Sequence, residues 1–180
     1  MSETPRPPAP AAAGSSIEPW LRGPIAGVPP LLQPAAHALT HAAEEVRRVV
    51  APLEADLVWR RPGPAATIAF HVRHAGGALD RLFTYARDEA LSAQQFDELK
   101  HEGLAGDPPE DGAMLAAAFE RRVAAAIDQL RATDPARLLD ARAVGRRQLP
   151  STVLGLLFHA AEHTQRHVGQ IVTTSRLLGA

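Results

Sequence analysis

The placement of proline constrains this chain more than any other feature. Nine of its sixteen prolines fall within the first 34 residues. Proline removes a backbone donor and breaks helix interiors, so the regular core is expected to begin after them. Residues 1–16, "MSETPRPPAPAAAGSS", are rich in Pro, Ala and Ser. They hold too few large apolar groups to offset the entropy of ordering, and a disordered terminus is expected there. Residues 17–180 read as one helical bundle domain. Its first stretch, "IEPWLRGPIAGVPPLLQ", offers Ile17, Trp20, Leu21, Ile25, Leu31 and Leu32, which suit an irregular strap laid against the bundle.

Four long helical patterns follow. The first runs from about Pro34, a good residue for a first helical turn, to about Leu53. The second starts near Thr67, after "RRPGPA", and reaches about Asp88. The third opens after "GDPPEDG" and spaces Leu115, Phe119, Val123, Ile127 and Leu130 along one helical face. The fourth starts at Ser151 after Pro150 and stops at Gly179. It spans about 28 residues, or roughly 42 Å at the helical rise. A further helical turn or two is expected within 92–109, and "RAVGRRQLP" at 142–150 is a candidate extended piece. Nothing else alternates with period two, so the fold class is all-α, a four-helix bundle with long connections.

Composition narrows the function classes. A net charge of −1 leaves no broad basic field for nucleic acid. The absence of cysteine removes disulfides, thiolate metal sites and a cysteine nucleophile together. The first residues lack the basic and apolar regions of a secretory signal. No apolar run reaches the roughly 18 residues of a membrane span. A cytoplasmic protein without membrane or nucleic-acid partners is expected.

The chemistry concentrates in histidine. In "FHAAEHTQRHVGQ", His159, His163 and His167 lie at about 0°, 40° and 80° around a helix. The helix is apolar almost all round just before them, "VLGLLFHAA", so at least His159 and His163 are expected to point inward. The second helix places His71, His74, Ala78, Arg81 and Tyr85 within about 80° of one another. Gly76 and Gly77 leave room beside the imidazoles. Two inward histidine pairs on different helices can meet in a bundle core, where metal sites are commonly built. Imidazole suits Zn, Ni, Cu or Fe, and three ligands with an open position is the arrangement of a catalytic zinc. The alternative is a set of core histidines, each with its own buried partner. His37 and His41 share a face with Glu44 and Arg48 and read as solvated; His101, in "ELKHEG", reads as exposed. There is no paired Glu-x-x-His set, H-E-x-x-H, G-x-S-x-G or phosphate loop.

Trp59, "ATIAFHVRHAGGALDRLFTYA" and "FHAAEHTQRHVGQ" together resemble the DinB/YfiT-like superfamily of metal-dependent bacterial proteins. The most specific element is H-x-x-x-H-x-G-Q, here His163, His167, Gly169 and Gln170. The resemblance covers about residues 17–180. It implies a four-helix bundle with a long crossover between the second and third helices, often a homodimer. It also implies one divalent metal per chain on His74, His163 and His167, Zn or Ni foremost and Fe or Mn next. Characterised branches are thiol-dependent transferases and isomerases with a low-molecular-weight thiol cosubstrate. His71 and His159 exceed the three-ligand pattern; they are either a fourth ligand or partners that orient the ligands, and Gln170 is placed to orient an imidazole.

The chemistry that follows is a metal lowering the pKa of a small thiol and holding the thiolate for attack on an electrophile. Arg81 lies roughly 10 Å along the axis from His74. It is a receptor for a carboxylate of the thiol or the small-molecule substrate, or else a partner of an acidic neighbour. Tyr85, one turn on, is a hydrogen-bond donor or a rim residue. Arg166 borders the histidine face, and Glu162, about 60° away, is either an acceptor behind the imidazoles or a salt-bridge partner within the bundle. Two other readings share the site: a metal-dependent hydrolase, weakened by the lack of a carboxylate base on that face, and a non-catalytic bundle pinned by a structural metal.

Overall fold

A computed structural model describes residues 17–180; the expectation for 1–16 lies outside the described residues. Six helices and one hairpin follow in order. Helix α1 (Gln33–Val50) begins with Pro34 in its first turn and buries Ala35, Leu39, Ala42, Val46 and Val50 along one stripe. A short turn, α2 (Ala55–Val58), follows. Helix α3 (Ile68–Ala86) is capped by Thr67, whose hydroxyl accepts from the Phe70 amide at 3.0 Å. The capping box of Ser92 and Gln95 opens α4 (Ala93–His101). Asp111 caps α5 (Gly112–Ala132), and Thr152 caps α6 (Val153–Leu177). Each cap satisfies an amide that the first turn would leave unpaired.

The candidate extended piece, 142–150, folds back on itself within an antiparallel hairpin, β1 (Ala141–Val144) with β2 (Leu149–Thr152), in which Arg142 faces Ser151. β2 runs directly into α6. Arg142 donates to the Ala86 carbonyl at 2.9 Å, tying the hairpin to the end of α3.

Helices α1, α5, α3 and α6 form a ring in which each packs on the next. Thus α3 and α6, remote in sequence, are direct neighbours. The core is apolar: Leu32, Leu39, Ile68, Leu79, Leu115, Phe119, Leu130, Leu157 and Ile171 are fully enclosed. Gly112 marks the tightest approach. A Cβ there would lie 1.8 Å from the Val50 carbonyl, because the start of α5 sits on the chain leaving α1.

The crossover from α3 to α5 is held by polar ties. Arg73 donates to the carbonyls of His101 and Leu104, pairs with Glu110, and stacks on Trp59 at 4.8 Å from the ring centroid. The Trp59 indole donates to the Glu110 carbonyl.

Two expectations need correction. The strap does cover α1, but through Val28, Leu32 and a half-buried Ile25; Ile17, Trp20, Leu21 and Leu31 stand in solvent. The face of His37, His41 and Glu44 is consequently not a free solvated face. His37 Nε2 hydrogen-bonds the Gly23 carbonyl, Arg22 grips Glu44 at 2.8 Å, and the Gln165 amide reaches His41. The strap's backbone carbonyls needed donors, and α1's outer side chains supply them. Among the described residues no helix is long and apolar enough to cross a membrane.

Candidate metal centre

The α3–α6 seam brings three imidazoles together. Donor nitrogens of His74, His163 and His167 all lie within 4.8 Å of one another. His74 Nε2 and His163 Nε2 are 3.2 Å apart. Two nitrogens sharing one zinc at about 2.0–2.1 Å with a tetrahedral angle stand about 3.4 Å apart, so this pair already has the spacing an ion requires. The donor set, three half-buried neutral-capable nitrogens without a thiolate or a free carboxylate, fits a borderline divalent metal.

What lies behind these rings orients them. His74 Nδ1 meets Glu102 Oε2 at 2.7 Å, and Glu102 Oε1 accepts from Arg81 Nη1 at 2.8 Å. Glu102 is almost fully enclosed, its side chain 7% exposed. Holding the proton of His74 on Nδ1 leaves Nε2 bare and facing His163, the arrangement by which an outer carboxylate prepares a histidine ligand. Gly77 makes room for it. A Cβ there would come within 2.7 Å of both Arg81 Nη1 and Glu102 Oε1. On the other side His71 Nδ1 and His167 Nδ1 are 3.0 Å apart. When His167 is the donor of that bond, its Nε2 is free for a cation.

The electrostatics favour the neutral form of His71, His163 and His167. Burial, reinforced by the neighbouring imidazoles, pushes His167 down to about 4. Burial likewise lowers His71 and His163 below the ordinary histidine value. For Glu102 burial acts upward, but the hydrogen bonds and charges of His74 and Arg81 outweigh it and hold the carboxyl below its usual range. Neutral imidazole and ionised carboxylate are the states that a cation needs.

The other histidine expectations divide. His71 is buried and sits behind His167 as its hydrogen-bond partner. His159 does not point inward: its side chain is 53% exposed and lies 3.4 Å from Glu162, although its ring is 5.8 Å from that of His163. Glu162 is itself held by Arg166 at 2.6 Å. Both stand at the outer edge of the α3–α6 seam, where His159 shares a cavity with His74, Ala78 and His163. Gln170 is exposed and makes no hydrogen bond among the described residues, so it orients no imidazole here. Arg81 is engaged with an acidic neighbour, and Tyr85 is half-buried beside the core. Sequence reasoning missed Glu102. Its position in "HEG", just past α4, carries no periodicity that would announce a buried carboxylate.

A cavity of about 710 Å³ opens beside His74 and His163 and runs along α3 past Arg81 and Tyr85 to the hairpin. The fold and the cluster thus define a helical bundle with a histidine seam that can hold a metal at the end of a ligand-sized pocket. The DinB superfamily profile matches residues 19–171, and the chain belongs to that superfamily. Among solved structures it is similar to a conserved protein from Enterococcus faecalis, with a TM-score of 0.67 and 17% identity over 82% of this chain and 96% of that one. That likeness concerns the fold. No curated protein matches the sequence.

Proposed function

We propose that this protein is a divalent-metal-dependent enzyme of the thiol S-transferase or isomerase type, using a low-molecular-weight thiol and acting on a small molecule. His74, His163 and His167 would hold the metal, with Zn or Ni the best matches to an all-imidazole set. A bound divalent ion would supply Lewis acidity, lowering the pKa of a coordinated thiol so that it is nucleophilic at neutral pH. The chain's own residues do the rest. Glu102 fixes the tautomer of His74, His71 orients His167, and the cavity walls exclude water from the reacting end.

The observation that carries this reading is the incompleteness of the histidine set. Three imidazoles converge, His71 is engaged with His167, His159 stands at the outer edge, and the cluster borders a cavity. Closed four-ligand sites are usually structural, whereas three protein ligands with an open position are the catalytic pattern. The hydrolytic reading is less favoured, because both oxygens of the nearest enclosed carboxylate, Glu102, are occupied by His74 and Arg81. Metal analysis of the purified protein should give about one equivalent per chain. Thiol-dependent turnover of a model electrophile should vanish in His163→Ala; turnover that persists there, or a chain that takes up no metal, overturns the reading.

A further inference from the structure

The cavity beside the histidines has a composition of its own. Its walls are apolar: Ala78 and Leu82 from α3, Leu91 ahead of α4, Phe96 and Leu99 from α4, and Ala143 from the hairpin. Phe96 and Leu99 remain 39% and 43% exposed. Helix α4 buries none of its residues, and it is docked by polar ties: Gln95 to Asp80 and Thr84, and Glu98 to Arg122. An amphipathic helix so fastened presents its apolar residues to the cavity instead of to the core.

Two guanidinium groups interrupt these walls. Arg81 is enclosed, 8% exposed as a residue, yet only its Nη1 has a hydrogen-bond acceptor among the described residues. Every side-chain nitrogen fully cut off from solvent has a partner, so Nε and Nη2 of Arg81 reach accessible space, and the cavity is the space that Arg81 lines. Arg146, at the tip of the hairpin, lines the same cavity and has no ion-pair or hydrogen-bond partner among the described residues. Glu102 balances the charge of Arg81, while Arg146 carries its charge without an ion-pair partner among the described residues. At the rim, Glu89 is taken by Arg87 at 2.7 Å, while Asp88 is free to repel a second negative group.

We propose that this cavity binds a ligand with an apolar body and a single carboxylate or equivalent monoanion, the anion received by Arg81 and Arg146 and the far end of the ligand reaching the His74–His163 rim. The Nε and Nη2 groups of Arg81 lose a water contact when an apolar body enters, and an anionic acceptor on the ligand restores it with the strongest bond. The size agrees, since small-molecule pockets run from about 300 to 1,000 Å³ and are mostly apolar with a few convergent polar groups. That the far end is a thiol rests on the metal reading above; the apolar and anionic requirements do not.

The two parts can be tested separately. Metal-stripped protein is titrated calorimetrically at pH 7.5 with octanoate, octanol and octylammonium in the presence of EDTA. Octanoate should bind at least about tenfold more tightly than octanol, the factor of one charge-assisted hydrogen bond, and octylammonium most weakly. Arg146→Glu, a change on an exposed turn, should abolish most of that preference while leaving octanol unchanged. Leu99→Glu should weaken octanoate and octanol alike. Equal binding of the three probes, or a carboxylate preference untouched by Arg146→Glu, overturns the proposal. A second titration compares 6-mercaptohexanoate with hexanoate, with and without zinc. A thiol that gains nothing from zinc refutes the metal reading and leaves the anion preference standing on its own result.

Discussion

The two seams of the bundle are built on opposite terms. Where α1 meets α5, Leu39, Val46 and Val50 face Leu115, Phe119 and Val123, all apolar and enclosed. Where α3 meets α6, apolar packing is interrupted by six imidazole, carboxylate and guanidinium groups, His71, His74, His163, His167 and the Arg81–Glu102 pair. An apolar seam needs only complementary volume. A polar seam in the interior is stable only if each group finds a partner, because an unsatisfied buried group costs more than its bond contributes. No enclosed side-chain nitrogen or oxygen is left without one among the described residues. The first seam holds the fold, and the second is held by it.

That contrast can be broken by mutation. The largest loss of stability is expected from the apolar seam: Phe119→Ala should cost about 3–5 kcal/mol in urea unfolding. The metal affinity of the remaining folded protein should be unaltered. Zinc should stabilise the wild-type chain by about 2.7 kcal/mol at a hundredfold excess over its dissociation constant, and His163→Ala should remove that increment. A melting curve indifferent to zinc would show the polar seam to be only a core feature.

Next comes Glu102→Gln. The carboxylate accepts from two donors, whereas an amide presents one oxygen and one NH2, so either His74 or Arg81 loses its acceptor. Metal affinity should fall by about 10–100-fold, measured by chelator competition. Gly77→Ala should lower it too, by displacing the same pair.

A smaller effect is expected from pH. His71, His163 and His167 titrate lower in the folded than in the unfolded chain, where histidine titrates near 6.5. The unfolded state therefore binds more protons below that value. Their contribution is fully present above about 6.5 and is lost as pH falls toward His167's value of about 4. The melting temperature of the metal-free protein should drop through this window, and His167→Gln should flatten the drop. Smallest of all, Glu162→Gln at the exposed edge should leave the melting temperature nearly unchanged, despite its short contact with Arg166.

The apolar seam was legible in the sequence and the polar one only in part. Leu115, Phe119, Val123, Ile127 and Leu130 recur at helical spacing, and the start near Thr67 is set by a cap that acts within three residues of itself, whereas the start signal read at Ser151 falls one residue early, Thr152 being the cap of α6. Such signals are local, so a linear reading reaches them. The same periodicity put His159 on the inward face and failed. Angular position says which residues share a stripe but not whether the neighbouring helix packs against it, and His159 stands half in solvent at the edge of the α3 contact, on the cavity it shares with Ala78 and Arg81. Gln170 failed for the same reason. His37 was misjudged because the element that covers it, the strap, has no periodicity from which its path can be read, and His41 because its partner, Gln165, lies on a helix remote in sequence.

The sequence by itself determined the helices, their capped starts, the apolar stripes and the grouping of histidines at i, i+3 and i+4, because each depends on residues within a turn or two. Only the tertiary structure decided that α3 and α6 are neighbours. It also brought Glu102 from the crossover behind His74 and left one edge of Arg81 facing a cavity. Those juxtapositions join residues tens of positions apart, and their geometry is set by the packing of whole helices, which no local pattern encodes.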